Sequence, residues 1–217
     1  MLRTLACSTL VALSATSAWA AGPLAVQAYG MYDWSRDNSN SWYQDGSYNG
    51  TVSGGWLSGG TGELTDGLSG ASVAGGYSAW DSYVLWDGYS PAISFDLGSR
   101  FEVQSIAASF VTNPTAAVYL PPSVNVAFSE VEGVFGAGTT VSLSAAPAGD
   151  DMRFTRELLV APGNGRYVQV SFTSPGRWMA LSEVAFSGQA SAVPEPESFA
   201  LLLAGLGLLA WRVRRPG

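Results

Sequence analysis

The chain has no histidine, no lysine and a single cysteine, Cys7. Each absence removes a class of chemistry. Without a second thiol there is no disulfide framework, and Cys7 lies within the first twenty residues, which carry the marks of an export signal. Without histidine there is no Ser-His-Asp triad and no His-ligated zinc. The many Ser and Thr hydroxyls have no evident activating base, so acid-base work is left to carboxylates and Tyr. Charge of either sign is scarce, at 12% of residues. What there is leans acidic: between Ala21 and Ala192 fifteen Asp and Glu stand against six Arg, a net charge of -9. Such a body repels phosphate backbones, which excludes nucleic acid as a partner and suits neutral sugars or cations. A glycosidase needs two placed carboxylates, and with fifteen acidic residues pairs arise by chance, so their number is no sign of catalysis. No catalytic residue is assigned, and the chain is read as a non-enzyme.

What is abundant is Gly, Ser, Trp and Tyr, the composition of a turn-rich β ectodomain. The two ends differ from it. Arg3 precedes a mostly apolar stretch, Leu5 to Ala15, and Ala18-Trp19-Ala20 places small residues where signal peptidase reads them. Residues 1–20 are therefore expected to be a signal peptide cut before Ala21; a lipobox at Cys7 is disfavoured because almost nothing apolar precedes Thr4-Leu5-Ala6. At the other end Pro194, Glu195 and Pro196 are followed by an uncharged run, Phe199 to Trp211, and then by Arg212, Arg214 and Arg215. This order resembles the PEP-CTERM sorting segment. A helix over 199–211 rises only about 20 Å, short of the roughly 30 Å hydrocarbon core, so it holds the chain marginally. The Arg cluster is expected to stay cytoplasmic and the ectodomain on the far side of the inner membrane. The resemblance implies that an exosortase acts near Pro-Glu-Pro and passes the protein from an inner-membrane intermediate to the surface or matrix of a Gram-negative-type bacterium. An ordinary C-terminal membrane anchor is the other reading of the same segment.

Residues 21–192 suffice for one domain with a real core. A strand is expected at Leu24 to Met31, and 33–62 read as a polar, aromatic loop region. Apolar residues then alternate at Ile93, Phe95 and Leu97, at Ile106, Ala108 and Phe110, at Val124, Val126 and Phe128, and at Val168, Val170 and Phe172. Glu157 to Val160 and Met179 to Phe186 complete at least seven short strands, an all-β jelly-roll sandwich flanked by a signal helix and a short membrane helix. The ordered series Glu63-Leu64-Thr65-Asp66-Gly67, Tyr83-Val84-Leu85-Trp86-Asp87-Gly88, Ile93 to Gly98, Pro122 to Val126, Gly165-Arg166-Tyr167-Val168 and Leu181-Ser182-Glu183-Val184 resembles galactose-binding-like domains of the discoidin and coagulation-factor C type, over about 60–188. At Ser129 the chain reads Ser-Glu-Val-Glu-Gly where Ser-x-Asp-Gly is common, a departure at one hairpin.

The resemblance implies a structural calcium held by loop carbonyls with an early Asp and a late Glu, here Asp66 and Glu183. The bland reading of Thr65-Asp66-Gly67 is a simple turn, with Asp bonding its own backbone. The aromatic set Trp42, Tyr43, Trp56, Tyr77, Trp80, Tyr83, Trp86 and Tyr89 is interleaved with Asp81 and Asp87, the pairing of stacking planes and hydroxyl acceptors that sugars use. Trp86 is assigned to the core by family position; Trp42, Trp56 and Trp80, with Asp81, are the contact candidates. Arg177 and Trp178 offer a fork and a stacking plane, or else a solvated charge and a core ring. The functional expectation is a surface carbohydrate-binding module for extracellular polysaccharide, with a structural matrix protein as the alternative.

Overall fold

The computed structural model describes residues 21–39, 43–158, 161–191 and 203–207. Among them eleven strands run as β1 (Gly22–Leu24), β2 (Ala28–Tyr32), β3 (Thr51–Ser53), β4 (Trp56–Gly60), β5 (Val84–Asp87), β6 (Ala92–Thr112), β7 (Ser123–Ser129), β8 (Thr139–Ser142), β9 (Met152–Glu157), β10 (Gly163–Phe172) and β11 (Trp178–Ala190). Every ladder between them is antiparallel.

Two of the expected strands are one. β6 joins the alternation at Ile93 to that at Ile106, and it belongs to both layers of the sandwich. Its first half pairs with β2 and β10, giving the order β3-β4-β2-β6-β10-β7-β8. Its second half pairs with β9 on one side and β11 on the other, and β1 and β5 share the far edge of β11. The corner is made at Gly98, whose φ of 80° is open to glycine and costly for other residues. Asp96 fixes it, accepting the Gly98 N–H at 2.7 Å. Arg166 from β10 forks onto the same carboxylate at 2.8 and 2.9 Å, which holds Asp96 below the usual carboxylate range.

Between the layers lies the core. Ile93, Phe95, Ile106, Phe110, Val168, Val170 and Phe172 are buried as the alternation predicts, with Phe110 edge-on to Phe172 at 5.8 Å and Phe95 edge-on to Phe186 at 5.0 Å. Trp86 is also a core residue, and its indole N–H donates to the Tyr32 carbonyl.

Three expectations are corrected. The strand placed at Glu157 to Val160 begins earlier in the structure: β9 spans Met152–Glu157 and pairs with β6 along its whole length, Leu158 lies just past its end, and Leu159 and Val160 lie outside the described residues. The stretch from Leu24 to Met31 is two strands, split where the Gln27 N–H turns to the Asp96 carbonyl. Among the described residues, 33–62 are not all loop. They hold the helical turn α1 (Trp34–Asp37) and the β3–β4 hairpin, closed by Gly54 and Gly55 at φ 54° and 77°, a two-residue turn of the type that matches strand twist.

Buried carboxylates organise that segment. Asp33 caps α1 through the Arg36 N–H at 3.2 Å and accepts the Asp45 N–H at 3.0 Å, while Arg36 donates to the Asp45 carbonyl at 2.6 Å. The Asp45 carboxylate accepts the Tyr29 hydroxyl, the Glu63 N–H and the Ser47 hydroxyl. Burial raises the pKa of both acids, that of Asp45 to about 6.

Candidate functional site

Three loops meet at one end of β11 and leave a cavity of about 230 Å³ lined by Tyr43, Trp80, Leu85, Ala116, Val118 and Trp178. Trp178 opens β11 beside Asp87 of β5. Its ring meets Tyr43 at 4.9 Å, and Trp34 stands edge-on to it at 5.6 Å. Tyr43 is tied to β5 by its carbonyl, which accepts the Leu85 N–H at 3.0 Å. Val118 is bridged to Trp178, with the Tyr119 N–H on the Trp178 carbonyl at 2.8 Å. Trp80 ends the short 3₁₀ turn Tyr77–Trp80 and packs on Tyr83 at 6.1 Å; at 7% exposure it meets the cavity with little of its surface.

The structure thus brings together two of the residues that the sequence singles out, Trp80 and Trp178, and adds Tyr43 from the aromatic set. Asp81 and Arg177 are exposed on the flanking loops and do not line the cavity. Trp42 lies outside the described residues, next in sequence to Tyr43. Trp56 is elsewhere, 61% exposed on β4 in the other layer. Ala116 and Val118 carry no chemical signal in sequence; only the turn Pro114–Ala116, ended by Ala117 at φ 57°, puts them there.

A second constellation is acidic. Asp66 follows the 3₁₀ turn Glu63–Thr65, and its carboxylate accepts the Leu68 N–H at 2.8 Å, so the turn reading of Thr65-Asp66-Gly67 holds. Gly67, at φ 80°, donates to Glu183 of β11 at 3.1 Å, which places the two expected calcium ligands side by side. Burial first, and then the neighbouring carboxylates, push Glu63 and Glu183 up to about 7. Among the described residues no three acidic side chains converge as a ready-made metal cage. Asp66 and Glu183 are nonetheless of the oxygen-donor type that a hard cation takes.

Residues 203–207 are helical within the expected 199–211 run, with Leu203 and Leu206 exposed. Among the described residues no helix is long and apolar enough to cross a membrane. Residues 1–20, where a signal peptide is expected, and Pro194, Glu195, Pro196, Arg212, Arg214 and Arg215 lie outside the described residues.

Searched by sequence, no curated protein matches the chain. Among solved structures it is similar to the C-terminal domain of a chitobiase from Bacteroides fragilis, at 14% identity and a TM-score of 0.42, covering 61% of this chain and 84% of that one. It is also similar to the family 32 carbohydrate-binding module of NanJ from Clostridium perfringens in complex with galactose, at 14% identity and a TM-score of 0.37, covering 58% and 82%. A third is chitosan-binding module 1 from a chitosanase/glucanase of Paenibacillus sp. IK-5, at 20% identity and a TM-score of 0.35, covering 58% and 83%. The C-terminal segment matches a family by sequence, and at residues 192–215 the chain carries a PEP-CTERM protein-sorting motif.

Proposed function

We propose that the ectodomain is a non-catalytic carbohydrate-binding module, displayed at the bacterial surface or in its polysaccharide matrix after exosortase processing, and that the Tyr43–Trp80–Trp178 cavity takes a sugar ring. The observation that carries this reading is the convergence of three aromatic side chains, from the segment at Tyr43, the 3₁₀ turn at Trp80 and the start of β11, around about 230 Å³. Aromatic faces stack on the C–H face of a pyranose, and a cavity of this size suits one ring, not a chain. Asp81 and Arg177 flank it as acceptor and donor for hydroxyls. Calcium belongs to the same reading as a structural ion at Asp66 and Glu183. It would hold the 3₁₀ turn against β11 and relieve the repulsion between the carboxylates; it takes part in no reaction.

The test is a glycan array probed with the exported chain from Ala21, in a sugar-free detergent such as lauryldimethylamine oxide. Ala116→Phe, which fills the cavity without removing an aromatic wall, is run beside it. Selective binding that falls on the order of tenfold in the variant is expected. Equal signals from both proteins on every bound glycan would remove the cavity from the proposal. An array with no signal for either would leave a structural matrix protein as the reading.

A further inference from the structure

The outer face of the β4-β2-β6-β10 layer carries a row of aromatic rings that the end cavity does not use. Trp56 is 61% exposed, against 7% for Trp80 and 0% for Trp86. Its ring lies 5.4 Å from that of Tyr32, which in turn meets Tyr89 at 5.5 Å. Tyr32 is fixed in place by Asp37, which accepts its hydroxyl at 2.5 Å. Beside these rings is a cavity of about 340 Å³, lined also by Ser94, Glu132 and Gln169. A second, of about 200 Å³, shares Gly30, Ser94 and Glu132 with the first and continues to Ser58, Asp96 and Tyr167.

Two cavities with three common residues make one trough across four strands. At the usual strand spacing it runs roughly 14 Å, longer than one sugar ring. Its floor is low because Gly30 has no side chain: a Cβ there would stand 3.0 Å from the Leu57 carbonyl oxygen. Glu132 and Gly133 line its rim and belong to the β7–β8 connection, the hairpin at which the sequence departs from the galactose-binding-like pattern.

The polar groups decide the occupant. Ser94 and Gln169 on the floor and Glu132 at the rim offer hydroxyl, amide and carboxylate, the groups that bond to sugar hydroxyls. Arg166, the one cation beside the trough among the described residues, is forked onto Asp96 at 2.8 and 2.9 Å and lies over the Tyr167 ring, so its charge is neutralised. Net charge along the trough is negative. From this we infer that the trough is a second binding site, separate from the end cavity, and that it takes an internal stretch of an uncharged polysaccharide, with Trp56 and Tyr32 as stacking planes. Uronate-bearing or sulfated chains are excluded by Glu132. This goes beyond the end-cavity reading and does not depend on it.

The experiment is affinity electrophoresis of the exported chain from Ala21, in the same sugar-free detergent, through gels containing galactomannan, xyloglucan, laminarin or alginate. Retardation by at least one of the three neutral polymers and none by alginate is expected. Trp56→Ala should weaken it on the order of tenfold, the size of a lost stacking contact. Because Trp56 is exposed, that variant should unfold at the wild-type temperature, which circular dichroism checks. Trp178→Ala, altered only in the end cavity, should run as wild type, so failure of the end-cavity reading leaves this one standing. Retardation unchanged in Trp56→Ala, retardation by alginate equal to that by a neutral polymer, or none by any polymer would each overturn the trough assignment.

Discussion

Asp45 shows how a single buried carboxylate can order a segment that has no hydrophobic rhythm. It is wholly buried and gathers Tyr29, Ser47 and Glu63, drawn from three stretches of chain. Asp45→Ala leaves the Tyr29 hydroxyl and the Glu63 N–H without partners, so a loss of about 3 kcal/mol is expected in urea unfolding. The acidic group at β11 makes a prediction of opposite chemical sign. Glu63 and Glu183 titrate near 7 when folded, against 4.5 in the unfolded chain. Between these values the native state binds more protons than the unfolded one, so stability is present below about pH 4.5 and declines as pH rises toward 7. Thermal unfolding without added metal should therefore show a falling Tm across this window. Millimolar calcium should restore it at pH 7 and do little at pH 4.5, and Glu183→Gln should make the fall shallower, with Glu63 and Asp45 still contributing, and remove the calcium response. A Tm that rises from pH 4.5 to 7 in chelator would contradict the account of this cluster.

At the scale of elements, β6 does the most to set the architecture, because one strand serves both layers and turns between them at Gly98. Gly98→Ala meets two penalties, a φ of 80° and a Cβ 2.7 Å from the Gln27 side chain. A loss of about 1–2 kcal/mol or more is expected from the backbone conformation alone, measurable by chemical denaturation. The strands legible in the sequence were those with period-two apolar alternation facing the core: β6, β7, β10 and β11. The others are edge or surface strands. β8, Thr139–Ser142, buries little and alternates weakly, and β9 sets Arg residues among its apolar ones. The β3–β4 hairpin did carry a signal in Gly54-Gly55, the turn pair that favours a left-handed conformation at both positions. It was obscured by the polar, aromatic composition around it, which is stabilised by Asp33 and Asp45 and not by burial of an apolar face.

For the whole molecule, the sandwich explains why a site made of distant residues is only partly readable from sequence. Trp80 and Trp178 stand out as aromatic residues in turn-rich stretches, but what joins them is the β5–β11 ladder and the bridge from Val118, which no local pattern announces. Trp56 stands out in the same way, yet it serves the opposite layer because β4 pairs with β2 and not with β5. The sorting motif, by contrast, is local and legible in full, since Pro-Glu-Pro, the apolar run and the Arg cluster follow one another directly. The acidic body, at -9 between Ala21 and Ala192, suits export into a layer of uncharged glycan. The most direct test of that role is to titrate the ¹⁵N-labelled exported chain with galactose, glucose and N-acetylglucosamine while following the tryptophan indole N–H resonances. Saturable shifts of Trp80 and Trp178 with one of these sugars, and none of the buried Trp86, are the predicted result; indole spectra unmoved by all three at high millimolar concentration would contradict a sugar ring in the Tyr43–Trp80–Trp178 cavity.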